Sequence, residues 1–458
     1  MKNLSAILAV ATVAALWAIT GFSESFSAYP QETARMPIAP LVALLSVAAV
    51  FYFAAIRAGE SAGKSPRLAV VFIIGLVMRL AGLFSHPVLE DDYFRYLWDG
   101  AVTAAGENPY LFAPAQVLTG GAGDALKTLA QQSGGIAEKI NHPHLTTIYP
   151  AAAQMFFALS HMAAEWSVSA WRLVLLAADC ATFFLLVRLR AGKATPAIYW
   201  WNPLVVFTIF FSCHLEALIF PFVLGALLAV RGTARARRGI LALALLCVSV
   251  AVKMWMVVLA APVLRALRGG AKQTATLFAL FCVGSLAVLS PLLASLSAEN
   301  SGLGSYVLNW ENNSSFFRIV AFVCEKLAFV LGLDAGHGSF SARIVTAAII
   351  ALGAAWAFFS KRWEPSDLAR RCLFVSALVF LVIPAQFPWY YCWVVPFLAL
   401  RTGGAKWSLM APTALMPLYY IKYGINGQNA FGALIVWIQF APVWIMLAWE
   451  HLRRKIEF

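Results

Sequence analysis

Apolar segments about as long as a lipid bilayer is thick recur along the whole sequence. A membrane-spanning helix needs about 20 mainly apolar residues, and segments of this kind alternate with short polar links. The pattern predicts an all-α polytopic membrane protein with about 12–14 transmembrane helices, in a bundle that occupies residues 1–458 as a single integral membrane domain. Candidate spans cover residues 4–20, 37–56, 67–84, 168–187, 196–212, 215–230, 239–252, 254–267, 273–296, 341–359, 371–385, 389–400, 407–421 and 431–449.

The polar stretches between these segments are short, apart from two long ones. Residues 85–148 and 297–340 predict long outer loops, and an amphipathic helix is expected after Asp124. Residues 149–164 and 316–332 are also apolar. We interpret them as re-entrant or interfacial helices, because counting them as spans would invert the orientation of every later segment.

Composition and charge support the membrane assignment and orient the chain. Hydrophobic residues make up 61% of it and charged residues only 12%, which excludes an ordinary soluble domain. The net charge of +13 comes from short basic runs between spans, so it indicates cytoplasmic links and not a nucleic-acid-binding surface. The acid-rich segments then face outward, on the periplasmic or extracellular side of the plasma membrane, and the alanine-rich composition is typical of a bacterium.

The N-terminus has two interpretations. Residues 1–28 have the character of a signal peptide, and a retained first span is the alternative.

The densest group of charges follows the third apolar segment. Pro87 is expected to end that helix, and Glu90, Asp91 and Asp92 are expected to begin a new one. Three adjacent acids exceed what a helix cap requires, and a cluster leaves one carboxylate with a shifted pKa, as suits a general base. Helix capping is the alternative. Helical spacing from residue 92 places four polar side chains on one face: Asp92, Arg95, Tyr96 and Asp99.

The sequence EDDYFRYLWDG at 90–100, followed by GENPY at 106–110, resembles the first outer loop of membrane glycosyltransferases with the C-type (GT-C) fold. The nearest likeness is to polyprenyl-phosphate-mannose-dependent mannosyltransferases. The resemblance implies that Asp92 is the catalytic base, with Asp91 or Glu90 sharing or orienting the proton. Three later segments are similar to motifs of that family: IYPAAAQ at 148–154, SCHLEAL at 212–218 with Glu216 in place of Asp, and FPWYYCWVVP at 387–396.

This likeness covers residues 67–400, the GT-C-like core. Residues 1–66 would be N-terminal extra spans and 401–458 C-terminal spans. The acids of the family usually follow the first span, whereas here they follow the third.

Other polar and aromatic side chains at the predicted outer face are candidates for substrate contacts. Loop histidines bonded to backbone, a lysine that reaches the interface and an aromatic belt are the alternatives. Candidates for the donor phosphate are Arg95, His142, His144, Lys253 and Arg318. Candidates for the acceptor or sugar are Tyr149, His214, Glu216, Trp310, Asn312, Trp389 and Tyr390.

The function expected from these features is inverting transfer of a hexose, mannose by the resemblance, to a hydroxyl acceptor at the outer face. The expected partners are a polyprenyl-phosphate sugar donor, a lipid-linked or envelope glycan acceptor, and membrane lipids. No nucleotide, nucleic acid or cofactor is expected; a divalent metal is the less favoured alternative. A ligase of lipid-linked glycans and a polysaccharide or lipid flippase are the competing functions.

Overall fold

A computed structural model describes residues 4–27, 29, 35–61, 66–190, 195–231, 235–360, 367–401, 406–424 and 429–453. Both ends of the signal-like segment, residues 1–3 and 28, lie outside the described residues, as do parts of the C-terminal stretch 401–458. The described chain is helical and contains no strand beyond one isolated bridge between Asn312 and Ala385. The prediction of an all-α polytopic membrane protein is confirmed.

Twenty-two α-helices follow one another in the described chain. They are α1 (Leu4–Phe22), α2 (Ile38–Ser61), α3 (Leu68–Leu83), α4 (Asp92–Ala104), α5 (Pro114–Leu118), α6 (Asp124–Gln132), α7 (Ala151–Ala163), α8 (Val168–Leu189), α9 (Ala197–Trp200), α10 (Pro203–Val206), α11 (Phe220–Val230), α12 (Arg235–Val252), α13 (Ala260–Leu267), α14 (Ala271–Ala294), α15 (Gly302–Asn309), α16 (Phe316–Val330), α17 (Ala335–Phe359), α18 (Asp367–Val382), α19 (Val395–Ala399), α20 (Lys406–Met410), α21 (Pro412–Leu415) and α22 (Asn429–Leu452).

Tighter or wider helical turns join several of these helices. The 3₁₀ segments are Ser23–Phe26, Ala137–Lys139, Leu215–Leu218, Met254–Leu259, Pro388–Trp393 and Met416–Gly424, and Phe207–Phe211 forms a π-helical turn.

Among the residues that the structure describes, six helices are long and apolar enough to cross a membrane, or seven if Pro203–Phe211 and Leu215–Val230 together form one span. This number is below the predicted 12–14, because several predicted spans are broken into shorter pieces. The predicted span 254–267 consists of the 3₁₀ turn Met254–Leu259 and the short helix α13, and the predicted span 389–400 consists mainly of the 3₁₀ turn Pro388–Trp393 and the short helix α19. The six are Leu4–Phe26, Ile38–Ser61, Val168–Leu189, Ala271–Ala294, Gly336–Phe359 and Ala433–Leu452.

Two apolar segments that we excluded from the predicted spans are short helices. Helix α7 has 13 residues and α16 has 15, and each is shorter than the length a span needs. The predicted amphipathic helix after Asp124 is α6.

The chain folds into two compact units. The first comprises Met1–His86, Leu186–Phe211 and Glu311–Phe458, and the second comprises Pro87–Leu185 and Ser212–Trp310. The interpretation of the chain as a single membrane domain stays a prediction.

In the first unit, α1 packs against α2 and α3, and α17 packs against α16 and α18. Polar side chains tie helices together through backbone carbonyls, as apolar surroundings require. Ser5 donates to the carbonyl of Ala55 at 2.7 Å. Arg79 is buried over the indole of Trp200, 3.4 Å from the ring centre, and donates to the Trp200 carbonyl at 2.7 Å.

In the second unit, α4 packs against α7, and α12 packs against α7, α11 and α14. The rings of Tyr96 and Phe157 stack with centroids 4.8 Å apart. Gly100 lets the two backbones approach closely, since a Cβ at this position would lie 2.5 Å from the Phe157 carbonyl oxygen. The loop between α4 and α7 closes over its own apolar core, which contains Phe94, Trp98, Val102, Val117, Ala122, Leu126, Ala130, Ala137 and Ile140.

We expect Gly100→Ala to lower the free energy of unfolding by about 1–3 kcal/mol, because the added methyl group meets rigid backbone. Thermal unfolding in detergent measures this as a lower midpoint. Gly123→Ala is the matched control: Gly123 has an ordinary φ of −63°, and its Cβ would meet no described atom within 4 Å. Equal midpoints for the two variants would contradict the packing argument.

Candidate functional site

The acid segment enters α4 through a strained turn. Leu89 and Glu90 have φ angles of 52° and 53°, in the left-handed region, and both are buried. Such a conformation costs about 1–3 kcal/mol for each residue that is not glycine. As predicted, the chain leaves α3 before Pro87 and begins a new helix at Asp92.

One amide group joins the two aspartates that follow this turn. The Asn141 side-chain nitrogen donates to Asp91 Oδ1 at 2.6 Å and to Asp92 Oδ1 at 2.9 Å. Asp91 occupies the N-cap position of α4, but its side chain makes no capping hydrogen bond to that helix. Helix capping, the alternative considered above, therefore does not account for the Asp91 carboxylate.

The second oxygen of Asp92 faces two further side chains. Tyr149 donates its hydroxyl to Asp92 Oδ2 at 3.3 Å, and His214 Nδ1 lies 3.7 Å from the same oxygen. The His214 side chain is completely buried, whereas 27% of the Asp92 side chain is exposed. Asp92 is thus held by neighbouring groups and still open to a reactant.

A second strained turn brings His214 to this position. Cys213 has a φ of 63°, and its carbonyl accepts a hydrogen bond from the Trp171 indole at 2.8 Å. Ser212 donates to the carbonyl of Val88 at 3.0 Å, which joins this turn to the acid segment. The 212–218 motif therefore reaches the acids from more than 120 residues along the chain, as the separation of Ser212 and Val88 shows.

Beyond His214, Glu216 and Lys253 form an ion pair. Lys253 Nζ lies 2.5 Å from Glu216 Oε1, with Glu216 fully buried and 19% of the Lys253 side chain exposed. Removing one partner would leave a buried charge uncompensated, so the pair depends on both residues. Lys253 lies at the break between α12 and the following 3₁₀ turn, as the sequence predicts.

The predicted polar face of α4 points into the second unit. Arg95 is buried and donates to the carbonyls of Asn141 and His142 at 3.2 and 3.1 Å. Asp99 is buried and accepts from the Gln154 amide at 3.1 Å. Arg95 thus fastens the segment that carries Asn141; its role as a phosphate ligand stays a prediction.

The two adjacent aspartates have different electrostatic surroundings. Burial, followed by the negative charge of Asp92, raises the pKa of Asp91 from 3.8 to about 6. The hydrogen bond from Asn141 acts in the opposite direction, because it stabilises the ionised form. Asp91 therefore changes its charge near the lower end of the physiological pH range.

A group of rings, exposed at His142 and His144 and half-buried at Trp310, borders Asn141. The rings of His142 and Trp310 meet edge to face with centroids 4.5 Å apart, and the His144 ring lies 6.1 Å from that of His142. Burial, the largest cause, lowers the pKa of His142. The structure therefore brings Trp310 and His142 together next to the acids, and their contacts with phosphate or sugar stay predictions.

The remaining sequence-predicted site residues belong to the first unit. Arg318 pairs with Glu311 at 2.8 Å, and Asn312 donates to the Tyr419 hydroxyl at 3.5 Å. Trp389 and Tyr390 are buried in an aromatic cluster, where Trp389 stacks on Phe387 and Tyr390 stacks on Trp393 with centroids 4.4 and 4.1 Å apart. Their roles toward phosphate, acceptor or sugar stay predictions.

Sequence reasoning missed Asn141 and Gln154. Asn141 directly precedes the histidine pair that attracted attention in NHPHLTTIYP, and Gln154 ends the IYPAAAQ segment. Both side chains are amides within the two sequence motifs named here. An uncharged hydrogen-bond donor inside such a motif is the feature that could have identified them. Among the described residues, no group of three or more His, Cys, Asp or Glu side chains could hold a metal ion.

Comparison with known proteins gives one match. The model of the MptA_B family, described as the N-terminal domain of alpha-(1->6)-mannopyranosyltransferases, matches residues 4–269. No curated protein and no solved structure matches the chain. The matched region contains the acid segment, Asn141, Tyr149, His214 and Lys253, and it covers more than half of the sequence. The chain therefore belongs to the MptA_B family of alpha-(1->6)-mannopyranosyltransferases, a family of GT-C-type membrane mannosyltransferases.

Proposed function

We propose that this protein transfers mannose from a polyprenyl-phosphate donor to a glycan hydroxyl at the outer face of the bacterial plasma membrane. The observation that carries the proposal is Asp92, whose partly exposed carboxylate is fixed by Asn141 and Tyr149 in a chain of the mannosyltransferase family. The positive-inside pattern of the sequence favours the outer orientation. For a site on that side we propose a lipid-linked donor and not a nucleotide sugar.

Asp92 is the proposed general base. It accepts the proton of the acceptor hydroxyl while the acceptor oxygen attacks the anomeric carbon of mannose. The bond from that carbon to the phosphate oxygen breaks, and polyprenyl phosphate leaves with the electron pair. This leaving group needs no proton, so the site has only to stabilise negative charge on the phosphate. Exposed His142 and His144 and partly exposed Lys253 are the proposed donors to it.

The family description, which gives an α-(1→6) linkage, supports a proposal for the stereochemistry of transfer. A single displacement inverts the anomeric carbon, so an α-linked product requires a β-linked mannosyl phosphate donor. The (1→6) linkage makes the attacking group a primary hydroxyl, which is the least crowded hydroxyl of a mannose unit. We therefore propose a mannose-terminated glycan as the acceptor.

Purified protein in detergent, supplied with β-mannosyl polyprenyl phosphate and a short α-(1→6)-mannoside, tests this function. We expect one polyprenyl phosphate to be released for each mannose added, and GDP-mannose to give no product. Transfer from GDP-mannose alone would contradict the lipid-linked donor. Movement of the donor lipid across proteoliposomes without any glycan product would favour a flippase.

We expect Asp92→Asn to lower kcat by roughly 10²–10⁴-fold, because the amide cannot accept the proton. Initial rates of product formation measure this effect. Glu138→Gln is the control, since Glu138 is an exposed acid of the same loop. Full activity of Asp92→Asn would show that another group is the base.

The rate of transfer should rise with pH and reach a plateau above about pH 6. Asp91 is ionised above its pKa of about 6, and its charge then favours uptake of a proton by the adjacent Asp92. Other titratable groups also interact with the pair: Arg95, His142, His214, Glu216, Tyr93, Tyr96 and Tyr149.

Asp91→Asn removes the titrating group in this interpretation. We expect a lower plateau and no acidic limb near pH 6 in a profile of kcat against pH. An unchanged limb in this variant would assign the titration to a different residue.

We propose that transfer needs no metal ion or other cofactor. Because the leaving group departs as an anion without protonation, side-chain donors suffice for its charge. Preincubation with EDTA should leave the rate unchanged. Loss of activity, restored by Mg²⁺ or Mn²⁺, would contradict this part of the proposal.

A further inference from the structure

We propose that Asn141 is a positioning residue, which sets the geometry of the Asp91–Asp92 pair through the two hydrogens of one amide group. The inference rests on the proposed function of Asp92 as base, and it extends that function to a side chain that neither contacts the acceptor proton nor carries charge. Three observations support it.

First, the hydrogen bonds use the amide fully. A side-chain NH₂ group has two hydrogens, and Asn141 Nδ2 lies 2.6 Å from Asp91 Oδ1 and 2.9 Å from Asp92 Oδ1. Each carboxylate therefore presents one oxygen to the same nitrogen. The arrangement fixes the two groups relative to each other, and it leaves Asp92 Oδ2 facing Tyr149 and His214.

Second, the backbone of Asn141 is fastened independently of its side chain. Arg95 Nη2 donates to the Asn141 and His142 carbonyls at 3.2 and 3.1 Å, and Arg95 lies one turn after Asp92 on α4. The helix that carries the base thus also holds the residue that orients it. His142 adopts a φ of 47°, so this segment is kept in a strained conformation.

Third, two neighbouring carboxylates with no hydrogen-bond donor between them would be unfavourable. Like charges in a partly buried place either separate or share a proton. A bridging donor stabilises both ionised forms without introducing a cation. A residue that only filled space at this position would not affect the pH at which either carboxylate takes up a proton.

Asn141→Ala and Asn141→Gln test the inference, with Glu138→Ala as a control in the same exposed loop. We expect Asn141→Ala to lower kcat by roughly 10–100-fold with little change in KM for the donor, because the base loses its orientation. The acidic limb of its pH profile should move to higher pH. Asn141→Gln retains an amide at a longer reach and should recover part of the rate.

A second measurement needs no substrate. The infrared band of the protonated carboxyl group, titrated in detergent and identified by its loss in Asp91→Asn, reports the ionisation of Asp91 directly. We expect its midpoint to lie at higher pH in Asn141→Ala than in the unaltered protein, and unchanged in Glu138→Ala. An unchanged midpoint in Asn141→Ala would overturn the inference.

The two measurements separate the inference from the proposed function. If polyprenyl-phosphate mannose is not a donor, the kinetic experiment fails while the infrared titration still decides the role of Asn141. If the donor is used and Asn141→Ala keeps kcat within about twofold of the unaltered protein, the positioning role is wrong even though the function stands.

Discussion

The candidate site depends on how the two adjacent carboxylates of Asp91 and Asp92 are held side by side. Two unit charges about 4 Å apart repel each other by about 4 kcal/mol at an effective dielectric constant near 20. Hydrogen bonds to a charged group each return about 1.5–3 kcal/mol, so a few donors can offset the repulsion. Asn141 supplies a donor to each aspartate and Tyr149 supplies one more to Asp92. Both donors come from the segment between α4 and α7.

Strained backbone conformations occur directly beside the residues of this site. Glu90, His142 and Cys213 each have a φ between 47° and 63°, and they directly adjoin Asp91, Asn141 and His214 in the chain. None of them is glycine, so the conformations persist because the surroundings hold them. The Trp171 indole holds the Cys213 carbonyl, and Arg95 holds the His142 carbonyl. Hydrogen bonds from Trp171 on α8 and Arg95 on α4 thus hold two of these strained turns in place.

The local features of this site could be predicted from sequence, whereas its long-range contacts could not. Helical spacing placed Asp92, Arg95 and Asp99 on one face, and the structure has that face on α4. The bridge from Asn141 joins residues 49 and 50 positions apart, and no periodicity encodes such a contact. The number of spans was predicted from hydropathy alone, which does not show that apolar segments such as 254–267 and 389–400 fold as 3₁₀ turns joined to short helices.

Arg95 shows that the chemical role of a residue is equally hard to predict from sequence when its partners are distant in the chain. A cation one turn after an acid on an outer loop suggested a ligand for the donor phosphate. In the folded chain the same residue is buried and donates to two carbonyls, because the loop that must be held down passes directly over it. The residue type was informative, but its partner depended on where the 141–142 segment lies.

The different surroundings of Asp91 and Asp92 favour different roles for the two carboxylates. Asp92 is partly exposed, and its second oxygen faces Tyr149 and His214, so a hydroxyl can approach it. Asp91 is turned toward Asn141, and burial together with the neighbouring charge raises its pKa to about 6. When their environments give neighbouring carboxylates different pKa values, the two groups can take different acid–base roles in one site. In the proposed mechanism Asp91 acts by its charge: ionised, it strengthens Asp92 as a base, and protonated, it weakens it. On this proposal Asp92 is a stronger base while Asp91 is charged, and Asn141 stabilises the charge of both.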